Sequence, residues 1–401
     1  MKKIVALVMT LVLCLTAVAA MADGIAKENI KLGVILLHDE NSTYDLNFMN
    51  GAREAIAALG MEESQLQFYR NQPESSACAE TALDAVDEGC NIVFFDSYGH
   101  QFYTDDVVSG NPNVQFVHAT GDLAHVKGFA NLANAFATIY EGRYLAGIAA
   151  GMKLNELKAA GKLKGETPKM GYVGAFTYAE VMSGYTSFYL GAKSVCPDVT
   201  MDVQFTGSWY DEKEERDAAQ ALIAAGADLI SQHADSMGAP SACEDAGIPD
   251  VSYNGSTIAS CPNTFIVSSR INWAPYFEYI VKQKAAGQPI DTDWTGTIAT
   301  DSVVLTEVNT AVAAEGTVEA IEAAKAEFVA GTKHVFDTAA DNFITVKGEK
   351  VTSYLADVDS DAAFEHETEV VKDGYFHESE YRSAPYFDMQ IDGINLLNSK
   401  F

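Results

Sequence analysis

Short apolar runs alternate with longer Ala-rich stretches of helical spacing from Ile30 onward. The apolar runs are rich in β-branched and aromatic residues and predict buried strands at residues 30–37, 66–70, 91–95, 114–120, 169–176, 199–205, 228–233, 251–255 and 265–269. Helical spacing separates them at 47–59, 76–88, 133–153, 181–195 and 212–225. Strands that alternate with helices are typical of βαβ units and of a parallel sheet. Because the alternation runs twice, we predict an α/β protein of two lobes, each a parallel sheet flanked by helices.

No Pro-rich or Ser-rich linker separates the two halves, which favours packed lobes joined by short hinges. We expect lobe 1 to comprise 28–125 plus 255–290, and lobe 2 to comprise 126–254 plus 291–401 with a C-terminal extension. Within the extension, a helix is predicted at 318–329 and a β-hairpin at 343–354, around Lys347-Gly348. We interpret the acidic stretch 357–369 and the aromatic stretch 375–387 as segments that pack on the second lobe.

The first 22 residues have the pattern of a signal peptide. Lys2 and Lys3 precede an apolar run from Ile4 to Ala19, and Ala20-Met21-Ala22 offers small residues for cleavage after Ala22. An uncleaved membrane span is the alternative, but the run is short for a bilayer. A lipid anchor at Cys14 is disfavoured because Leu13 precedes it. We therefore predict export to the periplasm or to the outer face of the cell membrane.

Charge limits the choice of partners. The 401 residues include 26 Lys or Arg and 56 Asp or Glu, giving a formal net charge of -30. A nucleic-acid surface requires clustered cations, and none follow the first three residues, so we predict no nucleic-acid partner. With 48% hydrophobic residues the chain is typical of a folded protein, and we expect a monomer. A neutral ligand fits this charge better than a phosphorylated one.

The cysteines leave two interpretations open. After cleavage the chain keeps Cys78, Cys90, Cys196, Cys243 and Cys261. Cys78 with Cys90 and Cys243 with Cys261 are neighbours in sequence and suit an oxidising compartment, which leaves Cys196 free. Five buried thiols are the equally weighted alternative.

Candidate ligand residues follow the predicted strands. In open parallel sheets a ligand lies beyond the carboxyl ends of the strands. The loops at those ends carry aromatic rings for stacking and polar groups for hydrogen bonds, which suit a small, flat ligand with a polar edge. The loops carry Tyr44, Tyr98, Phe176, Tyr178, His233, Asp235, Tyr253 and Asn254. As ligand-binding residues we select Tyr44, Tyr98, Phe176, His233, Asp235 and Asn254.

The sequence carries none of the common catalytic motifs. It has no nucleophile elbow, HExxH or GxxxxGK, and His38-Asp39-Glu40 is too sparse for the calcium site of a nucleoside hydrolase. The His residues are scattered and no Cys/His spacing suggests zinc. We therefore predict a protein that is not an enzyme and uses neither cofactor nor metal.

Several spaced motifs resemble the basic membrane protein family of extracytoplasmic ABC-transporter binding proteins, which includes purine nucleoside receptors and adenine-binding members. They are YEGRYLAGIAAG (140–151), the run from Gly171 to Gly184, GSWYDEKEERDAA (207–219) and SQHADS (231–236). The resemblance covers most of residues 30–300. It implies the two-lobed type I periplasmic-binding-protein fold, a purine nucleoside or nucleobase as the ligand, and delivery to a membrane ABC permease.

The resemblance also assigns roles to residues. It implies that Tyr44 stacks on one face of the purine, that Asp45 contacts its edge, and that Phe176 covers the opposite face as the lobes close. Nucleoside-binding relatives have an Asp where this chain has Asn254, and a Lys one position from Arg270. Both positions hold ribose hydroxyls in those relatives, so the choice between nucleobase and nucleoside stays open.

Two other functions remain as alternatives. A sensor that binds a purine or sugar and signals to a receptor kinase or chemoreceptor would show the same features. A secreted nucleoside hydrolase on this scaffold is the third hypothesis. Transport is the function that we favour.

Overall fold

A computed structural model describes residues 24–341, 343–359, 361, 363 and 365–399. The predicted signal peptide, with Cys14, lies outside the described residues. Among the helices that are described, none is long and apolar enough to span a membrane. The described cysteines, from Cys78 to Cys261, are buried free thiols.

Strands and helices alternate in the first part of the chain, as the hydrophobic pattern predicts. The strands are β1 (Leu32–Ile35), β2 (Leu66–Tyr69), β3 (Ile92–Phe95), β4 (Gln115–Ala119) and β5 (Leu132–Ala137). The helices are α1 (Thr43–Ala58), α2 (Ser76–Asp87), α3 (Asp105–Gly110) and α4 (Ala124–Lys127). β1 and β3 are apolar and fully buried because helices cover both faces of the sheet.

The same alternation continues in the second part. Its elements are α5 (Ile139–Ala159), β6 (Lys169–Gly174), α6 (Ala179–Val195), β7 (Thr200–Phe205), α7 (Glu212–Ala224), β8 (Leu229–His233), α8 (Gly238–Ala246), β9 (Asp250–Tyr253) and β10 (Phe265–Ile271). Next come α9 (Ala274–Ala286), β11 (Asp293–Gly296), β12 (Val303–Leu305) and α10 (Thr317–Val329). Short strands follow, namely β13 (Thr345–Val346), β14 (Glu349–Lys350), β15 (Leu355–Ala356), β16 (Thr368–Glu369), β17 (Val371–Lys372), β18 (Tyr375–Phe376) and β19 (Ile394–Leu396).

These strands form two main sheets, one in each lobe. The first has the order β11-β5-β4-β3-β1-β2 and is parallel throughout. The second has the order β12-β10-β9-β8-β6-β7-β19, and only the pairing of β12 with β10 is antiparallel. Helices flank both sheets, so the predicted two-lobed α/β architecture is confirmed.

The sheets divide the chain at other points than the expected lobe boundaries. The strand Leu132–Ala137 belongs to the first sheet, and the strand Phe265–Ile271 belongs to the second. The predicted helix at 133–153 is wrong over its first residues, where LANAFA forms β5 and the helix begins at Ile139. Its alanines are small enough for a strand buried on both faces, and the Ala content made this segment resemble a helix.

Adjacent chain segments join the lobes. The chain crosses between the sheets after Ala137, after Ile271 and after Gly296. Hydrogen bonds tie these crossings to one another, since Thr138 N donates to Gly296 O at 2.8 Å and Asn272 N donates to Ser302 O at 2.9 Å. Short, laterally bonded crossings permit a hinge motion while they keep the lobes facing each other.

The segment after α10 packs mainly on the second lobe. β19 extends the second sheet by pairing in parallel with β7. The ring of Phe336 lies 5.5 Å from that of Tyr140 on α5 and 4.2 Å from that of Phe387, between ring centres. The hairpin predicted around Lys347-Gly348 is present as β13 and β14.

Candidate functional site

A chamber lies between the lobes at the carboxyl ends of their strands. The space between atoms there is about 340 Å³, which includes open solvent. Residues of both lobes line it: Leu37, Tyr44, Ser97, Tyr98, Thr120, Glu180, Trp209, His233, Asp235 and Tyr253. The lobes touch beside it, because Thr43 N donates to Asp235 O at 3.1 Å.

Tyr44 and Tyr98 both line the chamber from the first lobe. Tyr44 is in the first turn of α1, which begins after Ser42, and its hydroxyl donates to the Asp96 carbonyl oxygen at 2.7 Å. Tyr98 is in a short 3-10 helix after β3, and its hydroxyl donates to Asp122 Oδ2 at 3.3 Å. Each ring is therefore held in position by a hydrogen bond to its own lobe.

Asp45 is buried next to the first loop and is not among the residues that line the chamber. Its Oδ1 accepts a hydrogen bond from His38 N at 2.7 Å, and its Oδ2 lies 3.5 Å from His38 Nδ1. The carboxylate thus fixes the loop that presents Tyr44. Burial, and next the charge of Asp45, raise the pKa of Asp96 well above its usual range.

Phe176 lies behind the aromatic wall of the second lobe. Its ring stacks on that of Tyr178 at 5.2 Å and meets that of Trp209 edge to face at 5.1 Å. Trp209 lines the chamber and Phe176 does not. The structure therefore places Trp209 where the sequence suggested Phe176, and Phe176 supports the wall from behind.

Acidic groups dominate the polar part of the second lobe's wall. Glu180 and Asp235 line the chamber, and His233 Nε2 lies 3.1 Å from Glu180 Oε1. Burial raises the pKa of Asp235 well above its usual range, and the nearby charges of Asp45, Glu215 and Glu180 add to this effect. Burial also lowers the pKa of His233. Among the described residues that line the chamber, none is Lys or Arg.

A buried arginine lies behind this wall. Arg143 on α5 is 1% exposed, and its Nη1 donates to the Gln232 carbonyl oxygen at 2.9 Å. Its guanidinium carbon lies 3.3 Å from the centre of the Tyr253 ring, a close cation–π contact. The positive charge opposes the rise in the pKa of Asp235. The sequence motif that contains Arg143 therefore supports the site without lining it.

Glu215 holds the loop that carries Asp235. Its carboxylate is fully buried and accepts from Ser236 N at 3.3 and 3.2 Å and from Asp211 N at 3.1 Å. Burial raises its pKa to about 7. The acidic run 211–215, in which a helix start would ordinarily be solvated, is thus buried at Glu215.

Asn254 and Arg270 are not among the residues that line the chamber. Asn254 is buried with a backbone φ of 62°, and its N donates to Ser269 O at 2.9 Å. Its Nδ2 has no hydrogen-bond partner within the described part of the chain. Arg270 Nη1 donates to Asn47 Oδ1 at 3.3 Å.

Several lining residues were not selected from the sequence. Thr120 directly follows β4, and Leu37 and Ser97 lie two residues after the ends of β1 and β3, so the strand-end rule points to all three. Glu180 is at the start of α6, and Gly184 one turn later makes room for His233, because a Cβ there would lie 2.6 Å from His233 Nδ1. No signal in the sequence separates Trp209 from Phe176.

A family comparison matches most of the chain to one model. Residues 32–329 match Bmp, described as "ABC transporter substrate-binding protein PnrA-like". The chain belongs to the Bmp family. It is thus a substrate-binding protein of an ABC importer, a class that acts outside the cytoplasm, binds a small molecule and delivers it to a permease.

Individual relatives agree with this assignment. A purine-binding protein of Brucella abortus (strain 2308) is 33% identical over 272 residues, which are 67% of this chain and 71% of that protein. A relative from Haloferax volcanii, named as an ABC transporter glucose-binding protein, is 30% identical over 58% of this chain and 56% of its own length.

Solved structures give the same fold. An ABC transporter solute-binding protein of Aeropyrum pernix K1 superposes with a TM-score of 0.64 at 18% identity. The match covers 78% of this chain and 94% of that one. For a Bmp-family protein, a chamber between hinged lobes is the expected position of the ligand.

Proposed function

We propose that this Bmp-family protein captures a neutral purine, as nucleobase or nucleoside, between its lobes and delivers it to an ABC permease. The composition of the interlobe chamber is the main support for this ligand class. Tyr44, Tyr98 and Trp209 offer ring faces for a flat ligand, and the Glu180 and Asp235 carboxyl groups offer hydrogen bonds to its edge. The absence of Lys and Arg from the described lining disfavours a phosphate.

The hydrogen-bonding capacity of the buried Asp235 carboxyl group suits the edge of a purine. Burial raises the pKa of Asp235 and so favours the protonated form of its carboxyl group, which both donates and accepts a hydrogen bond. Purines present alternating donors and acceptors along their edges, so one neutral carboxyl group matches two adjacent positions. The purine-binding relative supports this ligand class.

We also propose where the protein acts and how it handles its ligand. The mature protein begins after Ala22, is exported to the periplasm or the outer face of the membrane, and acts as a monomer. It releases its ligand unchanged, because among the described residues that line the chamber no nucleophile is paired with a base that would activate it. His233 and Glu180 form a hydrogen-bonded pair, whereas the Ser97 hydroxyl group donates to Glu74 and the Thr120 hydroxyl group donates to the Ala119 carbonyl oxygen.

A thermal-shift screen tests the ligand class. Adenine, guanine, adenosine, inosine, ribose and glucose are each added to the mature protein. A ligand present at about 100 times its Kd stabilises the native state by about 2.7 kcal/mol, which raises the Tm measurably. We expect a shift with at least one purine, and no shift with any of them would contradict the proposal.

A sugar is the second candidate, because the Haloferax volcanii relative is named for glucose binding. A shift with glucose and with no purine would favour it.

Chromatography of adenosine after overnight incubation with the protein tests the hydrolase alternative. We expect no free adenine beyond the buffer control.

A further inference from the structure

The C-terminal segment, which follows Val329, is anchored to the second lobe. Its strand β19 pairs in parallel with β7 of the second sheet. Phe205 N at the end of β7 donates to Asn398 Oδ1 at 2.7 Å, and the Tyr140 hydroxyl group on α5 donates to Glu378 O at 3.2 Å. The match to the family model ends before this segment. Because a strand of the segment is part of the second sheet, the segment moves with the second lobe.

Two adjacent residues of this segment reach across to the first lobe. Arg382 Nη1 lies 3.8 Å from Asp122 Oδ2, and Ser383 N donates to Asp293 Oδ1 at 3.0 Å. Asp122 follows β4 and Asp293 begins β11, so both carboxyl groups belong to the lobe of the first sheet. The side chains of Arg382 and Asp122 are each 10% exposed. We call these four residues the latch.

The guanidinium group of Arg382 is held in position by its own segment. Its Nε donates to Ala384 O at 3.2 Å, and its Nη2 donates to Pro385 O at 3.3 Å. Its guanidinium carbon lies 5.7 Å from the centre of the Tyr386 ring. Because these contacts orient the group in advance, it loses little conformational freedom when it meets Asp122.

Asp122 is fixed on the first lobe and connects the latch to the chamber wall. Its Oδ2 accepts a hydrogen bond from the Tyr98 hydroxyl group at 3.3 Å, and its Oδ1 accepts one from Gln101 Nε2 at 3.0 Å. These contacts keep the carboxylate on the first lobe when the lobes separate, while Arg382 stays with the second. The pair of Arg382 and Asp122 therefore exists only in the closed arrangement of the lobes.

Acidic groups of the two lobes oppose each other in this arrangement. Burial, and next the charge of Asp45 on the first lobe, raise the pKa of Asp235 on the second. Like charges that approach as the lobes meet oppose closure. Arg382 acts in the opposite sense, because it places a positive charge opposite Asp122 across the gap between the lobes. A contact made only in the closed arrangement shifts the equilibrium towards that arrangement.

We propose that the latch stabilises the closed arrangement of the lobes and thereby slows release of the ligand. None of its four residues lines the chamber, so its effect does not depend on the chemistry of the ligand. A change in the population of the closed arrangement alters the apparent Kd of every ligand by the same factor. The latch thus goes beyond the proposed purine-binding function and does not rest on it.

Distances between spin labels test the latch in the ligand-free mature protein. Leu83→Cys on α2 and Lys162→Cys after α5 place labels at exposed positions of the two lobes, and the described native cysteines are buried. We expect a shorter and a longer separation in the wild-type protein. Arg382→Gln should lower the ratio of the shorter to the longer population at least about 3-fold. Arg382→Lys keeps the charge and should stay closer to wild type.

Arg216→Gln is the matched control, because Arg216 forms an ion pair with Asp245 within the second lobe. We expect it to leave the two populations unchanged. If Arg382→Gln does not fold, Asp122→Asn removes the same attraction from the first lobe without changing size, and we expect a shift in the same direction.

Release kinetics give a second readout. By stopped flow with bound adenosine, we expect Arg382→Gln to raise the dissociation rate constant at least about 5-fold. In titration calorimetry it should weaken adenosine and adenine by the same factor, within about 2-fold. Arg216→Gln should change neither quantity.

The outcomes separate the latch from the proposed function. Unchanged label distances in Arg382→Gln and Asp122→Asn, or an equal change in Arg216→Gln, would overturn the latch. A selective loss of one purine in Arg382→Gln would also overturn it, since that result places Arg382 in contact with the ligand. If neither purine binds the wild-type protein, the proposed function fails, and the label distances of the ligand-free protein still decide for or against the latch.

Discussion

Tyr44 shows how one side chain serves both the fold and the site. Its hydroxyl group donates to Asp96 O within the first lobe, while its ring faces the chamber. Asp45, the next residue, holds the loop through His38. Tyr44 thus presents a ring to the chamber, and Asp45 fixes the backbone that carries this ring.

Two substitutions of Tyr44 separate these tasks. Tyr44→Phe keeps the ring and removes the hydrogen bond, so we expect a loss of about 0.5–1.5 kcal/mol in the free energy of unfolding with little change in ligand affinity. Tyr44→Ala also removes the stacking surface, and we expect purine affinity to fall at least about 10-fold. Urea unfolding and calorimetry measure the two effects. Equal affinities of Tyr44→Ala and wild type would show that the ring makes no ligand contact.

At the scale of elements, glycines let α5 and α6 pack closely. A Cβ at Gly147 would lie 2.1 Å from Phe188 O, and a Cβ at Gly191 would lie 2.0 Å from Tyr144 O. These distances are far below van der Waals contact, so the helix backbones touch where the glycines meet. The packing also fixes Arg143 and Gly184, which adjoin His233 behind the chamber.

A methyl group added at this crossing should separate the helices. We expect Gly147→Ala to lower the free energy of unfolding by about 1–3 kcal/mol, since the backbone atoms that it meets cannot rotate away. Gly110→Ala is the matched control, because nothing lies within 4 Å of its Cβ position. Its stability should stay within about 0.5 kcal/mol of wild type. Equal stability of Gly147→Ala and Gly110→Ala in chemical denaturation would contradict the close packing.

The sequence predicts most elements but not all of them. Apolar runs such as IVFF of β3 can be recognised as strands, because strands buried on both faces are continuously hydrophobic. β5 was assigned to a helix because its alanines have high helix propensity, and tertiary packing overrode that preference. β11 and β12 are short and partly polar, so their pairing partners define them more than their own residues do.

For the candidate site, the sequence indicates the loops but not every lining residue. The strand-end rule located Tyr44, Tyr98, His233 and Asp235, which line the chamber. It did not indicate Trp209, because Phe176 and Trp209 follow different strands, β6 and β7, and which ring lines the chamber depends on how the two loops pack together. Arg382 and Asp388 line a neighbouring cavity that shares Tyr98, Thr120, Glu180 and Trp209 with the chamber. They lie far away in the sequence, so no local pattern indicates this position.

At the scale of the whole molecule, buried carboxyl groups couple stability to pH. Burial raises the pKa of Glu215 and Asp250 to about 7 and that of Glu378 to about 8. In the unfolded chain these groups titrate near their ordinary values of 4.5, 3.8 and 4.5. The native state therefore holds protons that the unfolded state has lost, and its stability falls as pH rises through the native pKa values.

Histidines with lowered pKa act in the opposite direction, but only below about pH 6.5, where an unfolded histidine becomes charged. Between pH 6.5 and 8 the carboxyl groups dominate, and we expect the free energy of unfolding to fall by at least about 1 kcal/mol. Glu378→Gln should reduce this fall, since it removes the group that stays protonated to the highest pH of the three. Urea unfolding at a series of pH values measures it, and a rise in stability over the range would contradict the assignment.

Closure of the two lobes on a purine is the central claim, and titration calorimetry of the mature protein with adenosine tests it most directly. We predict saturable binding with one site per chain and a negative heat-capacity change, because ring surfaces are buried as the lobes close. Adenosine recovered afterwards should be chemically unchanged. No heat of binding with adenosine, adenine, inosine or guanine at concentrations up to about 1 mM, equivalent to a binding free energy weaker than about -4.1 kcal/mol, would contradict the account.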